Sequence, residues 1–297
     1  MSNNDSPTHD SVGRALSWSA SDREVERIAQ RKSIARKHAL IATASSVVVL
    51  GTLAIVVLSS PGWKIFQQTF FDITYGREVV GTVVKGLVTN IGLTIIASIL
   101  IGAFGLLLAL ARTSRSAALT PFRILATTYV DVFRGVPLLL VILLVGFGVP
   151  ALQIKGLTNS VLVLGTAAVV ITYSAYVAEV IRSGILSVHP SQRAAARSLG
   201  LSQGQTLRYV VLPQAFKRVV PPLLNDLVAL LKDTGLVSIL GVIDAVRAAQ
   251  INTSRTFNYT PYIVAAILFL LITVPLTRYT DRTLLRSIAK QNAQGTA

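Results

Sequence analysis

Six apolar runs divide the sequence: Ile41–Leu58, Leu87–Ala111, Val136–Pro150, Val161–Ala178, Val219–Leu240 and Tyr262–Leu276. A helix of about 20 apolar residues crosses the hydrocarbon core of a membrane, and in lipid every backbone N–H and C=O must be paired internally. Runs of this length predict membrane-crossing helices and leave little room for any other fold. The Val136–Pro150 run is short and is expected to borrow turns from Tyr129–Gly135. Composition agrees. Charged residues make up only 14% of the chain, against about 25% in an average soluble domain. The expected fold class is an all-α membrane protein with six spans.

The net charge of +15 first suggests a nucleic-acid partner. Its distribution argues otherwise. If the N-terminus lies in the cytoplasm and sides alternate, four inner segments hold most of the Lys and Arg: the N-terminal region, Arg112–Arg123, Arg182–Arg218 and the stretch after Arg278. Arg31, Lys32, Arg36 and Lys37 immediately precede the first run, whereas the outer loops hold only Lys64, Arg77, Lys85, Lys155, Arg247 and Arg255. This is the positive-inside asymmetry. It places both termini in the cytoplasm and makes nucleic acid an unneeded partner. The polar start of the chain is too long for the n-region of a cleaved signal. The first run is therefore read as a retained span.

The expected organisation follows. Residues 1–38 form a cytoplasmic tail, disordered to about residue 20, with a charged surface helix over Asp22–Lys37. Residues 39–60 form the first span. An external linker, 61–80, carries the interfacial aromatics Trp63, Phe66, Phe70, Phe71 and Tyr75. Residues 81–285 form one membrane domain, and 286–297 a second cytoplasmic tail.

Between the fourth and fifth runs lies a basic loop with helix signals at both ends. Pro190 stops the preceding chain, Ser191 is placed to cap a helix over Gln192–Leu199, and Gly200 falls where a C′ glycine belongs. Ser202 and Gln205 form a capping box for a second short helix, which Pro213 ends or kinks. A hairpin across the inner face is one reading; a solvated loop with incidental caps is the other.

Ionisable residues at membrane depth are costly and usually functional. Asp131 and Arg134 are three apart, as are Glu179 and Arg182, so each pair can share a helix face. They are either structural ion pairs or parts of an inner gate. In the fifth run Asn225, Asp226, Lys232, Asp233 and Thr234 interrupt apolar sequence. Asp226 and Asp233 share one face, and Asn225 and Lys232 the neighbouring one. That stripe either lines a cavity or pairs with another helix. Gly235 is a place for the helix to bend or unwind. Lys232 and Asp233 fall about midway along the run and point about 100° apart, so each needs its own partner.

Little else carries chemistry. Gly76 and Gly81 have the spacing of a phosphate-binding loop, but Thr82 and Val83 follow where Lys and Ser or Thr are required. His9, His38 and His189 are scattered, and there is no cysteine. Catalytic residues and a metal site are not expected.

The hairpin resembles the signature of the integral-membrane subunits of ATP-binding-cassette importers, Glu-Ala-Ala, three residues, Gly, nine residues, Ile-x-Leu-Pro. The matching positions are Ala195, Ala196, Gly200, Val210, Leu212 and Pro213. Three further elements are similar to the permeases for polar amino acids: Arg134–Leu139, Tyr173–Arg182 and Leu230–Ser238. The resemblance covers about Gly81 to Arg282. It implies a five-helix type I permease core, to which Ile41–Leu58 adds one span. One departure stands out: Ala194 replaces the acid that opens the signature, which puts in doubt an ion pair at that point.

The resemblance also implies function. The chain would be a permease subunit in a bacterial inner membrane, carrying glutamate, glutamine, arginine, histidine or a similar amino acid. It would pair with a second, identical or homologous permease and sit on two cytoplasmic ATPases. An external substrate-binding protein would feed it. ATP and Mg would reside on the ATPases, with no cofactor and no enzymatic step in this chain. Ser191, Ala195, Ala196, Arg197, Gly200, Leu212 and Pro213 would form the ATPase-coupling surface. Asp131, Arg134, Glu179, Arg182, Asn225, Lys232, Asp233 and Thr234 would border the substrate path or gate. An ion-coupled secondary transporter is the rival expectation, but inverted repeats would then be expected. A non-transporting scaffold is the other rival and leaves Lys232 and Asp233 unexplained.

Overall fold

The computed structural model describes residues 21–114 and 116–295, with side chains to Leu284 apart from Ile28 and Ala29. The expected disorder before residue 20, His9 and the last two residues lie outside this range. The chain divides into two compact units, 1–65 and 66–297.

The first unit contains α1, Asp22–Leu58, 37 residues long. Its apolar stretch has none of its residues buried. The separate surface helix expected over Asp22–Lys37 is not found; it is continuous with the first span. No Pro or Gly stands between them, and the junction is built of Ala, Arg, Lys and Ile, which sustain a helix.

The region expected as a linker is also largely helical. After α2, Trp63–Phe70, the chain enters α3, Ile73–Thr113. Asp72 caps α3 by accepting from the Tyr75 N–H at 3.0 Å. At 1.5 Å per residue its 41 residues extend about 60 Å, twice the hydrocarbon thickness. α3 therefore holds the span expected at Leu87–Ala111 and a long extension before it.

A short 3₁₀ turn, Ala117–Leu119, leads into α4, Thr120–Gly135, and then α5, Leu138–Ala151. The two axes differ by 107°. The expectation that Val136–Pro150 borrows straight turns from Tyr129–Gly135 is thus corrected. Pro137 denies its neighbour the helical region, and Val136 sits at φ −97°, ψ 131°. α6, Val161–Leu186, follows, then α7, Pro190–Ser198, and α8, Gln203–Thr206.

A π turn over Leu207–Val211 opens directly into α9, Leu212–Asp233. Pro213 offers no N–H to the carbonyl four residues back, and the backbone widens just before it. Of the two expectations for Pro213, it does not end the helical run, which continues from α8 through the π turn into α9, and the widened turn marks the irregularity instead. α9 gives way to a 3₁₀ helix, Thr234–Leu240, one residue before Gly235, and Gly241 closes it at φ +96°. Last come α10, Ala245–Thr256, and α11, Thr260–Gly295.

Four helices among the described residues are long and apolar enough to cross a membrane, or five when α4 and α5 count as one bent span. The α9 region falls short because Lys217, Arg218, Asp226, Lys232 and Asp233 interrupt it.

The second unit packs around α3 and α6. Ala97 and Ile101 of α3, Val141 and Ile142 of α5, Val169 and Val177 of α6, and Leu230 of α9 share one core. Small residues let the backbones approach: a Cβ on Gly105 would stand 2.7 Å from Val177. A second core joins Val83 and Leu87 of α3 to Ala245 and Ala249 of α10 and Ala265 of α11. A third, of Ile185, Val188, Val211 and Ala215, joins the end of α6 to the π turn and the start of α9.

Candidate functional site: a groove, an arginine cluster and a hairpin

A groove of about 740 Å³ runs between α3, α6 and α9. Its walls are mostly apolar, among them Ile101, Val177, Leu223 and Leu230; Tyr173 and Asp226 are polar exceptions, and Arg208 and Lys217 stand at the hairpin end. Asp226 is partly buried, and its Oδ2 has no hydrogen-bond partner. The Tyr173 hydroxyl donates to Asp233 Oδ2 at 2.6 Å. The face shared by Asp226 and Asp233 is thus turned toward α6 and the groove.

Lys232 and Asp233 are the last residues of α9, not the middle of an unbroken span. Asp233 finds its partner in Tyr173, while Lys232 and Asn225 are exposed in the single chain. Thr234 is buried elsewhere: its hydroxyl donates to the Leu231 carbonyl at 2.7 Å and accepts from Asn90 Nδ2 at 3.2 Å. Asn90 also donates to Asp244 Oδ2 at 3.0 Å and accepts the Ala245 N–H at 3.0 Å. Asn90 and Asp244 are both 0% exposed. Burial pushes the Asp244 carboxyl above its ordinary range, while the Arg247 N–H and the Asn90 amide pull it back. This network ties α3 to the 3₁₀ helix and to α10. Gly86 permits it, since a Cβ there would collide with the Asp244 backbone.

Farther along α6, beyond Tyr173, Glu179 gathers three arginines. Arg182 Nη2 lies 2.5 Å from Oε1, Arg112 Nη1 lies 2.6 Å from Oε2, and Arg134 Nη1 stands at 3.9 Å. The expected Glu179–Arg182 pair is present. The expected Asp131–Arg134 pair is not: Asp131 is exposed, and Arg134 is drawn to Glu179 instead. One carboxylate therefore joins α3, α4 and α6.

The hairpin has the expected outline with a different first cap. α7 begins at Pro190, whose fixed φ suits the first helical position. His189 is the cap: its Nδ1 accepts the Ser191 N–H at 3.3 Å and stands 2.7 Å from the Ser191 hydroxyl. Ser191 is thus inside the helix. The far end forms a Schellman turn, with Gly200 N–H on the Arg197 carbonyl at 3.0 Å and Leu201 N–H on the Ala196 carbonyl at 3.2 Å. Gly200 sits at φ +83°, a conformation glycine adopts without strain. The Ser202–Gln205 capping box is present at 3.2 and 2.8 Å. Of the alanines, Ala196 is buried, while Ala194 and Ala195 face outward beside Leu199, which is 83% exposed. Arg197 donates to the Leu201 carbonyl at 2.9 Å. Leu212 and Pro213 line the groove end.

Residues 103–283 match the family described as binding-protein-dependent transport system inner membrane component. The chain belongs to that family. The permease is 32% identical over 196 residues to the arginine transport system permease protein ArtQ of Bacillus subtilis, covering 66% of this chain and 87% of ArtQ. It is 36% identical over 191 residues to the putative glutamine transport system permease protein GlnP of Rickettsia conorii, covering 64% and 85%. Among solved structures, a crystal structure of an amino acid ABC transporter with histidines aligns at TM-score 0.66 and 34% identity, over 72% of this chain and 98% of that one. The MetNI methionine transporter in an inward-facing form shares the fold at TM-score 0.57. The permease is an amino-acid ABC transporter subunit of the bacterial inner membrane.

Arg112, Tyr173, Asn90 and Asp244 were not singled out from sequence. Arg112 had a signal, being the first charge after a long apolar run.

Proposed function

We propose that the permease, paired with a second identical or homologous subunit, forms the transmembrane path for a polar amino acid such as glutamine, glutamate, arginine or histidine. Transport is driven by two cytoplasmic ATPases that hold the ATP and Mg, and a substrate-binding protein supplies the amino acid. The observation that carries this reading is the groove between α3, α6 and α9, apolar apart from a few polar groups such as Tyr173 and Asp226. Asp226 can meet a substrate ammonium, and the Tyr173–Asp233 pair can change partners as the groove opens. Lys232, exposed in the single chain, is placed for a partner subunit or a substrate carboxylate. The relatives named for arginine and glutamine favour this substrate class.

The hairpin is the ATPase docking element. Ala195 and Leu199 present an exposed apolar edge, held rigid by the caps at both ends of α7. Closure of an ATPase dimer would draw two such hairpins together, and the Arg193 bond to the Ile185 carbonyl, with the continuous helical backbone from α8 into α9, would pass that motion to α6 and α9 as a rigid-body shift.

Reconstituted vesicles test the proposal. Uptake should require the co-assembled ATPase and stop on ATP depletion with ion gradients clamped. Uptake that ignores ATP and follows an ion gradient would establish ion-coupled transport instead. Cysteines replacing Ala195 or Leu199 should crosslink to the ATPase; no product from either would remove the docking assignment. Lys232→Met should leave insertion intact and lower uptake or its coupling to hydrolysis.

A further inference from the structure

A second cavity, of about 890 Å³, opens where the end of α3 meets the hairpin. Its chemistry is split. Leu110, Phe122, Leu207 and Val211 give it apolar walls, while Arg193 and Arg197 supply two positive charges. No acidic side chain lines it, and among the described residues neither guanidinium has a carboxylate partner. Arg193 spends one Nη on the Ile185 carbonyl. Its Nε is buried without a partner, and so is the hydroxyl of Thr206, a residue only 4% exposed that also lines the cavity. Buried donors of this kind are expected to have partners. Both residues line the cavity, with these two atoms packed behind its wall.

The cavity does not end in solvent alone. Ala111 and Phe122 are shared with a narrower groove of about 340 Å³ between α3 and α4. That groove is lined by Phe104, Leu107, Leu125 and Tyr129 among others, with no charged group. Phe104, Leu107 and Leu125 are 53, 63 and 67% exposed, and belong to faces that a membrane would cover. A pocket with two cationic groups at the end of a span therefore continues into an apolar trough along that span. This is the shape and charge order of a phospholipid.

We propose that the cavity binds the headgroup of an acidic phospholipid, with one acyl chain in the trough between α3 and α4. The phosphate would meet the charges of Arg193 and Arg197, each of which spends one Nη on a backbone carbonyl and keeps the other. Charge asymmetry assigns this end of α3 to the cytoplasmic side, where basic clusters meet anionic lipids. Because Arg193 and Arg197 lie on α7, a bound lipid would hold the proposed docking hairpin against the membrane. A free phosphate-bearing solute shares the headgroup chemistry but has no use for the trough.

The full chain, assembled with its ATPase, is purified from a bilayer of equal parts phosphatidylglycerol and phosphatidylcholine, and retained lipid is counted by native mass spectrometry. Phosphatidylglycerol should be retained preferentially, and Arg193→Gln with Arg197→Gln should reduce that preference by about tenfold. Ala111→Phe, which narrows the junction and keeps both arginines, should also release the lipid, and decides the matter if the double variant does not assemble. Equal retention of the two lipids, or a preference unchanged in these variants, would overturn the proposal. Displacement of the retained lipid by inorganic phosphate with Ala111→Phe silent would identify a free-anion site and also overturn it.

Discussion

Two carboxylates in this molecule are held by opposite means. Asp244 is fully buried and makes no ion pair among the described residues; the Asn90 amide and the Arg247 N–H satisfy it. Glu179 keeps 22% of its side chain exposed and is surrounded by Arg112, Arg134 and Arg182. A fixed amide and a helix N-terminus can serve a carboxylate away from water, because they bring no second charge to desolvate. Long guanidinium chains suit the wetter site and can re-sort among partners. The Asn90–Asp244 network locks α10 to α3, while the arginine cluster leaves α3, α4 and α6 joined by exchangeable pairs.

The largest effect is expected from Asn90→Leu. It leaves Asp244 Oδ2 without its amide donor and the Ala245 N–H without an acceptor, both buried. Each orphan costs about 1–3 kcal/mol, so a loss of about 3 kcal/mol and of most assembled subunit is expected. Thermal unfolding in detergent, read by size-exclusion chromatography, measures it. A variant as stable as the parent would show that the network is not a lock.

Glu179→Gln comes second. Three guanidiniums lose their counter-charge, but water reaches all of them to some degree, and roughly 1–2 kcal/mol is expected. Salt should narrow the gap between variant and parent, whereas the Asn90→Leu deficit should be indifferent to salt. A salt-independent loss at Glu179 would erase the contrast. Within the cluster the ranking should follow geometry. Arg112 is 11% exposed at 2.6 Å, and Arg134 is 42% exposed at 3.9 Å. Arg112→Gln should cost about 1 kcal/mol and Arg134→Gln less than about 0.5; equal losses would mean that distance does not grade these pairs.

The sequence shows one of these sites in part and the other not at all. Glu179 and Arg182 are visible because they sit three apart on one helix. Arg112 is 67 positions away, and only the packing of α3 on α6 brings it in. Asn90 and Asp244 are separated by 154 positions, and nothing local marks them. Short-range grammar was the most legible layer: the Gly200 turn and the Ser202–Gln205 box depend on neighbours within a few residues. Ser191 lost its expected capping role to His189 because Pro190 can occupy the first helical position. The apolar runs announced membrane helices, but their bends depended on single residues. Pro137 turned an expected straight span into a 107° corner.

A third carboxylate sharpens the contrast and should show the smallest effect on stability. Asp226 has neither an amide nor an arginine; its Oδ2 is buried without a partner at the edge of the groove. A group kept in that condition contributes nothing to holding the fold, and Asp226→Asn removes a charge that burial already disfavours. Unfolding should therefore change by less than about 0.5 kcal/mol, or shift slightly toward greater stability. Transport should respond differently. If Asp226 receives the substrate ammonium, loss of the charge should reduce uptake of a polar amino acid by at least about tenfold, equivalent to ~1.4 kcal/mol, while ATPase assembly stays intact. Stability and uptake measured on the same preparation separate the roles. A variant that is destabilised like Asn90→Leu would place Asp226 with the structural carboxylates. One that is stable and transports normally would remove it from the path.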